Sequence, residues 1–425
     1  MNTRYSRRSF FAFSRSALAS VGLASWITPL NAAPTPTPAL DDGVDYYDKL
    51  GVAKIINAAG VFTMFTSSIM PPSVQLAVAK AAKHPVRLKD LQLAAGAYIA
   101  NKLHCEAALV SAGAASALTL GTAACISVAN GRSGERIANL IPQQMDGLKN
   151  EVIMQKAHRY GYDHALLNCN VKIVEVETID QYRTAFNAKT VMAHFHNAAQ
   201  SGAISREDWI RIAHEHNVPC FNDAAADCPP ISRLWLYTQM GFDLVTFSGG
   251  KGLRGPQNAG LLLGKRELIA AAVENNTSID DVVGRGMKVA KEQIVGMVAA
   301  VDWILSQSDE AMQAEFRGRA QAIADYLHDV PSLKTQIFVP EINQHASTLL
   351  LRYDQKKVAI TPRAVADALR KGSPSIELHP ATGDPNSMFS SDAETIVVGV
   401  WMLQDGEATI VAKRLHEVLM GAVNA

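Results

Sequence analysis

Through the middle of the chain, short apolar runs alternate with stretches whose apolar residues recur at helical spacing. The runs are Glu106 to Ser111, Glu151 to Met154, Lys172 to Val176, Thr190 to Phe195, Val218 to Asn222, Leu244 to Phe247 and Ala259 to Leu263. Each has strand length, while Asp163 to Leu167, Thr178 to Ala188, Ser205 to His216 and Trp235 to Met240 read as helices between them. This alternation predicts a largely parallel sheet covered on both faces, with ligands gathered at the carboxyl ends of its strands.

The flanks differ from the middle. A short strand from Lys54 to Asn57 enters a glycine-broken loop carrying Thr66, Ser67 and Ser68, and helices follow over Pro72 to Ala82 and Leu88 to Leu103. Gly284 opens a long helix through Ser306, and Asp309 to Val330 extends it in further segments. After Val330, strands at Ser347 to Tyr353, Ser375 to His379 and Thr395 to Val400, with helices Pro362 to Lys371 and Glu407 to Met420, make a compact α+β unit. The expected divisions are an N-terminal segment over 46–75, a large domain over 76–330 and a small domain over 331–425.

Composition changes this picture only at the N-terminus. The 425 residues are 48% hydrophobic, and forty basic side chains balance forty acidic ones, so no overall field favours nucleic acid or an anionic membrane. Ser6-Arg7-Arg8-Ser9-Phe10-Phe11, a weakly apolar stretch and Asn31-Ala32-Ala33 resemble a twin-arginine export signal over 1–33, followed by a Pro-Thr linker over 34–45. The expectation is a soluble periplasmic protein handed folded to the twin-arginine translocase. The five cysteines are odd in number and lie mostly in apolar segments, which favours buried free thiols, and no CxxC or CxxH spacing suggests a metal site.

Candidate chemistry concentrates in Ser248-Gly-Gly-Lys251-Gly-Leu-Arg254-Gly-Pro-Gln257, where one lysine follows a buried strand inside a glycine-rich turn. The glycines exclude a helix around the lysine and let backbone approach a ligand. Three motifs overlap here. S-x-x-K would suggest a penicillin-binding serine hydrolase, but its serine and lysine must share a helical turn, and S-D-N and K-T-G companions are missing. Gly250-x-Gly252-x-x-Gly255 fits a dinucleotide fingerprint, but Pro256 and the next strand leave no helix to receive the pyrophosphate.

The remaining reading is a Schiff-base lysine for pyridoxal 5′-phosphate. Asp223 ends a strand before Ala224, Ala225 and Ala226, placed to pair with the pyridine nitrogen. Ser111, Gly113, Ala114 and Ser116 form a small-residue turn into an alanine-rich helix, which with Ser248 suits the phosphate. A tightly packed helix needing alanines explains that turn equally well. His158, Arg159 and His196 fall at or beyond strand ends, and Ser68 offers a hydroxyl from the first loop.

Taken in order, Ile56-Asn57-Ala-Ala-Gly60, Ala107-Ala-Leu-Val-Ser111-Ala-Gly113, Tyr162-Asp163-His164-Ala165, Asp223-Ala-Ala-Ala, the Lys251 turn and Met287-Lys288-Val-Ala-Lys-Glu292 resemble the selenocysteine-synthase-like (SelA-like) family of fold-type I pyridoxal phosphate enzymes. The resemblance implies an α/β, aspartate-aminotransferase-like large domain with a mostly parallel seven-stranded sheet, a small C-terminal α+β domain, and a homodimer or higher oligomer with its sites at the subunit interface. It implies that His158 lies over the cofactor ring and that Arg254, Gln257 or Arg285 contacts phosphate or substrate carboxylate. The family holds selenium transferases acting on seryl-tRNA and ammonia lyases acting on amino-sugar acids. A neutral chain without a basic tRNA-binding domain favours the lyase, on a small amino acid or amino-sugar acid. A transferase or racemase on the same scaffold, and a catalytically silent binding protein, are the alternatives. The first loop departs from the family in its apolar Phe62, Met64 and Phe65.

Overall fold

The computed structural model describes residues 43–131, 136–198, 202–276, 281–389 and 392–423. The export signal expected over 1–33 lies outside the described residues. The chain divides into two units, Met1–Ala53 and Lys54–Ala425. In the first, helix Tyr46–Leu50 starts at Asp45, whose carboxylate accepts the Tyr47 and Asp48 amides, and stops at Gly51 in a left-handed conformation, φ 67°.

Among the described residues, the second unit carries twelve strands: β1 Ile55–Ala58, β2 Ala107–Ser111, β3 Glu151–Gln155, β4 Lys172–Val176, β5 Thr190–His196, β6 Cys220–Asp223, β7 Leu244–Ser248, β8 Gly260–Gly264, β9 Lys334–Phe338, β10 Thr348–Arg352, β11 Ser375–Leu378 and β12 Thr395–Gly399. Seven form one sheet in the order β2-β8-β7-β6-β5-β3-β4. β8 runs antiparallel to both its neighbours and the other six strands share one direction, so Ser111, Gln155, His196, Asp223 and Ser248 end on the same edge.

The apolar runs leave no polar face because the sheet is covered on both sides. One side packs Phe195, Phe247, Leu261 and Leu263 against Trp209, Ile294, Met297 and Val301. The other packs Leu109, Phe221, Leu244 and Leu262 against helices Gly113–Ala129 and Arg266–Glu274. A third core lies in the C-terminal part, where β12-β10-β9 is antiparallel and β1 pairs in parallel with β11. Ile56, Ala58 and Val61 from the start of the unit share that core with Phe316, Ile323, Leu349, Val398 and Leu415. The first loop is thereby fixed to the C-terminal layer at one end, and the Ser68 hydroxyl bonds it to the Gly250 carbonyl at the other.

Two elements differ from the sequence expectation. The long helix begins at Lys291, not Gly284. Val283–Met287 is a 3-10 turn drawn back to the preceding helix by the Gly284 amide on the Asn275 carbonyl, and Gln293 Oε1 caps the Ala290 amide where the true helix starts. Strand β9 has no apolar signature because it is an edge strand whose Lys334, Thr335 and Gln336 are exposed. Among the described residues, no helix is long and apolar enough to cross a membrane.

Candidate active site

The Lys251 turn is the connection of the β7/β8 hairpin. Its glycines are required by close approach of protein to itself: a Cβ on Gly252 would lie 2.0 Å from the Cys228 carbonyl oxygen, and one on Gly250 2.6 Å from Cα of Gln257. They fold the turn tightly and do not bare the backbone for a ligand. The lysine is thus held on a rigid tip. Its side chain is largely buried, and among the described residues its amine has no hydrogen-bond partner. Burial pushes its pKa below the ordinary lysine value, opposed by the negative charges of Asp223 and Asp227. Desolvation favours the neutral, nucleophilic form of an amine, and the two carboxylates favour the charged one.

Asp223 ends β6, beside β7, and the Ser248 amide bonds the Ala225 carbonyl at 3.1 Å, which fastens the two strand ends together. The aspartate is buried; Oδ1 accepts the Ala225 amide at 3.0 Å, and Oδ2 accepts the hydroxyl of Tyr160. Tyr160 stacks on His196, ring centroids 3.7 Å apart, so the loop after β3 lies against the ends of β5 and β6. Burial, then the Asp223 charge, raises the Tyr160 pKa far above its ordinary value and keeps the hydroxyl a donor. Behind the aspartate, Asp227 is buried on Tyr237 Oη at 2.8 Å and on the Asn197 amide, and burial raises its pKa.

His158 follows β3 and turns to the end of β5. Its ring packs edge-on against Phe195 at 4.5 Å, Nδ1 accepts the His196 amide at 3.2 Å and Nε2 meets Gln155 at 3.3 Å. Burial, then His196 and Arg206, pushes its pKa down to about 4, so the ring is a neutral brace for the β5 end. Among the described residues, Tyr160 and His196 are the rings brought to Asp223. Arg159 pairs with Asp163 and Glu175 and stays with its own loop.

Three residues named as substrate contacts join two loops. Ser68 Oγ donates to the Gly250 carbonyl at 2.6 Å, Arg254 Nε to the Ile69 carbonyl at 2.9 Å, and Gln257 Nε2 to the Thr63 carbonyl at 3.1 Å. Arg254 also lies 5.4 Å from the centroid of the Trp303 ring. Among the described residues its Nη atoms have no hydrogen-bond partner, which leaves two donors for a carboxylate. Arg285 is exposed.

At the other side of the turn, Asn258 and Gly260 approach Gly113, which starts the helix Gly113–Ala129 with φ 83°. Ser111 is buried with its hydroxyl on the Gly113 carbonyl at 2.9 Å, so it shapes the turn. Ser116 Oγ is buried without a partner among the described residues. A cavity of about 540 Å³ opens here, lined by Ala112, Ser116, Tyr162, His164, Asn258 and Lys288 among others. Motifs far apart in sequence thus converge on one helix N-terminus, where backbone amides and the dipole favour an anion.

These groups fit pyridoxal phosphate: an unpartnered buried amine, a strand-end carboxylate beside it, and an anion site with an orphaned hydroxyl. Asp223 Oδ2 can accept a second donor besides Tyr160, since a carboxylate oxygen has two lone pairs. Sequence reasoning missed Tyr160 and Asp227. Tyr160 stands in a motif-bearing loop but carries no spacing signal, and Asp227 gains meaning only when the chain turns back beside Lys251.

Comparison with known proteins agrees. Residues 169–312 match the family model described as L-seryl-tRNA selenium transferase (SelA). The chain is 26% identical over 389 residues to a D-glucosaminate-6-phosphate ammonia lyase of Salmonella typhimurium, covering 88% of this chain and 97% of the relative. It is 28% identical over 389 residues to a 5′-C-glycyluridine monooxygenase-decarboxylase of a Streptomyces species, covering 88% and 92%. A solved structure of D-glucosaminate-6-phosphate ammonia-lyase superposes with a TM-score of 0.75 at 24% identity, covering 89% of this chain and 99% of that one. One described as SPT with a pyridoxal phosphate internal aldimine gives 0.53 at 10% identity, covering 87% and 88%. The fold is that of the aspartate-aminotransferase-like enzymes of fold type I. The chain is an enzyme of the pyridoxal phosphate lyase or transferase type.

Proposed function

We propose that the protein is a pyridoxal phosphate-dependent lyase that deaminates an α-amino acid or amino-sugar acid by α,β-elimination. The observation that carries this reading is the half-buried, unpartnered amine of Lys251, which feels the charge of Asp223. The likeness to an ammonia lyase over nearly the whole length supports the choice of reaction.

Lys251 would hold the cofactor covalently, Asp223 would face its ring nitrogen, and Ser248 with the Gly113–Ser116 turn would hold its phosphate. When bound, the cofactor supplies an electron sink for the charge left when a bond to the substrate Cα breaks. Once released by substrate, Lys251 Nζ takes the Cα proton, and it can pass that proton to the group departing from Cβ. With a β-hydroxyl, water leaves at Cβ and another water enters at Cα, so the net products are a 2-keto acid and ammonia. Tyr160, bonded to Asp223 and stacked on His196, holds the aspartate in place during these steps.

The test is absorbance. The wild type is expected to show a visible cofactor band that borohydride removes, and to release keto acid and ammonia in equal amounts without an amino acceptor. Dependence on an acceptor would make it a transferase, and oxygen uptake with CO₂ release would make it a decarboxylase. A colourless protein that takes up no cofactor would end the reading.

The arginine pair Arg7-Arg8 and the linker after it support export by the twin-arginine route. Replacing both arginines by lysine is expected to leave the protein in the cytoplasmic fraction. Light scattering is expected to give a homodimer.

A further inference from the structure

A second cavity, of about 220 Å³, lies between the first loop and the C-terminal sheets. Phe62, His379, Phe389 and Trp401 give it aromatic walls, and Asn343 and Gln344 supply amides. The rings form a chain: His379 meets Phe62 and Phe389 edge-on, each at 4.9 Å. His379 Nδ1 accepts the Ala381 amide at 3.0 Å, which places the ring proton on Nε2 as a free donor. Burial holds this imidazole down to about 4, so it is neutral at pH 7.

Both walls are bonded to the segments that carry the chemistry. The Gln344 amide donates to the Ala226 carbonyl at 2.8 Å, in the turn that follows Asp223. The Phe62 loop closes on itself through the Ser67 amide, and its Ser68 hydroxyl reaches Gly250, next to Lys251. Gly60 brings the loop against Trp401 and Gln344, where a Cβ would lie 3.0 and 3.1 Å from their side-chain atoms. Hydrogen bonds therefore tie the walls of the cavity to the segments that carry Asp223 and Lys251.

Its chemistry excludes one substrate class and fits another. Among the described residues, none that lines it carries a charge. Arg352 reaches this segment, but its guanidinium donates to Thr395 Oγ1 at 2.9 Å and the Phe389 carbonyl at 3.2 Å. A phosphate enclosed here would be desolvated without a cation, which is costly. A ring is different, since a cavity of on the order of 150 Å³ already holds benzene.

We infer that this cavity is the side-chain pocket for the substrate and that it takes an uncharged aromatic or apolar group. This rests on the lyase reading above and narrows it: the substrate is a β-hydroxy-α-amino acid bearing such a group on Cβ, and not a phosphorylated sugar acid. The Cα–H and Cβ–O bonds break, hydroxide leaves as water with the Cα proton, and hydrolysis gives ammonia and the 2-keto acid with its ring intact. No oxidant or reductant is needed.

The test separates the pocket from the chemistry. In the cofactor-free Lys251→Ala protein, 3-phenylserine is titrated while tryptophan fluorescence is read, with Trp401→Phe in the same background identifying the reporter. Quenching that disappears in Trp401→Phe, and weakens about tenfold in Phe389→Ala, is expected. In the loaded wild type, 3-phenylserine should be turned over with a KM at least about tenfold below that of serine, and Phe389→Ala should remove that preference. Preference for D-glucosaminate 6-phosphate, or a Phe389→Ala effect equal on both substrates, would overturn the inference. Loss of the cofactor band with Trp401 quenching intact would sink the lyase reading and leave the pocket standing.

Discussion

Two cavities are tied to the Lys251 turn, one lined by its Asn258 and one walled by the loop that Ser68 bonds to Gly250, and they differ in almost every property that recognition uses. The one at Asn258 is larger, open, and built on a helix N-terminus with Ser116, His164 and Lys288; the one behind Phe62 is smaller and walled by four rings without a charge. The first suits a phosphate and the second an apolar side chain. One hairpin tip serves both because its glycines let it fold tightly enough to bond the first loop on one side and touch Gly113 on the other. A cofactor phosphate at one end and a substrate side chain at the other would place the reacting Cα near Lys251.

The widest break in this arrangement comes from removing the residue between the cavities. Lys251→Ala is expected to abolish the borohydride-sensitive band and lower turnover by at least about a thousandfold, while the melting temperature stays within a few degrees or rises, because a buried amine without a partner is gone. Asp223→Asn comes next. It keeps the shape and the bond from the Ala225 amide but loses the charge, so cofactor should still bind while turnover falls by about a hundredfold or more. Equal loss of cofactor uptake in both variants would show that Asp223 is a binding group only.

The comparison sharpens when one cavity is altered alone. Ala114→Asp puts a negative charge in the first turn of the helix Gly113–Ala129, so the affinity for pyridoxal phosphate should fall by about tenfold, read by equilibrium dialysis. Trp401 quenching by 3-phenylserine should not change. A shift in both would mean that the cavities are one site.

Protonation gives a smaller handle. His379 is held down to about 4, whereas an unfolded histidine titrates near 6.5. The unfolded chain therefore binds the proton first as pH falls. The contribution of this group is fully present above about pH 6.5, declines as pH drops towards 4 and is flat below, a loss of up to about 3 kcal/mol. Urea midpoints between pH 7 and 4 should fall less steeply in His379→Gln than in the wild type.

Legibility in the sequence followed the same division. Residues read from local pattern, such as Lys251 in its glycine turn and Asp223 at a strand end, lie together in the structure. Gly113 and Ser116 were legible as a helix start. Residues whose place depends on long-range packing were not: His158 turns to Phe195, while Tyr160 takes the position beside Asp223. The aromatic cavity draws on residues from Ala59 to Trp401, so no window of sequence could display it. The edge strand β9 was invisible because exposure removes the alternation on which strand reading depends.

The finest test concerns the stitch that holds the two cavities to one turn. Ser68 Oγ donates to the Gly250 carbonyl at 2.6 Å, and Ser68→Ala leaves that carbonyl without this donor but changes no charge and little volume. A hydrogen bond of this kind contributes about 1 kcal/mol, so a modest drop in the denaturation midpoint is expected. The loop it anchors carries Phe62, a wall of the aromatic cavity, whereas the helix N-terminus is held independently by Ser111 on Gly113. KM for 3-phenylserine should therefore rise severalfold while the affinity for pyridoxal phosphate stays at the wild-type value. If both constants move together, the turn is transmitting the loss to its far side, and the two cavities must be treated as mechanically coupled.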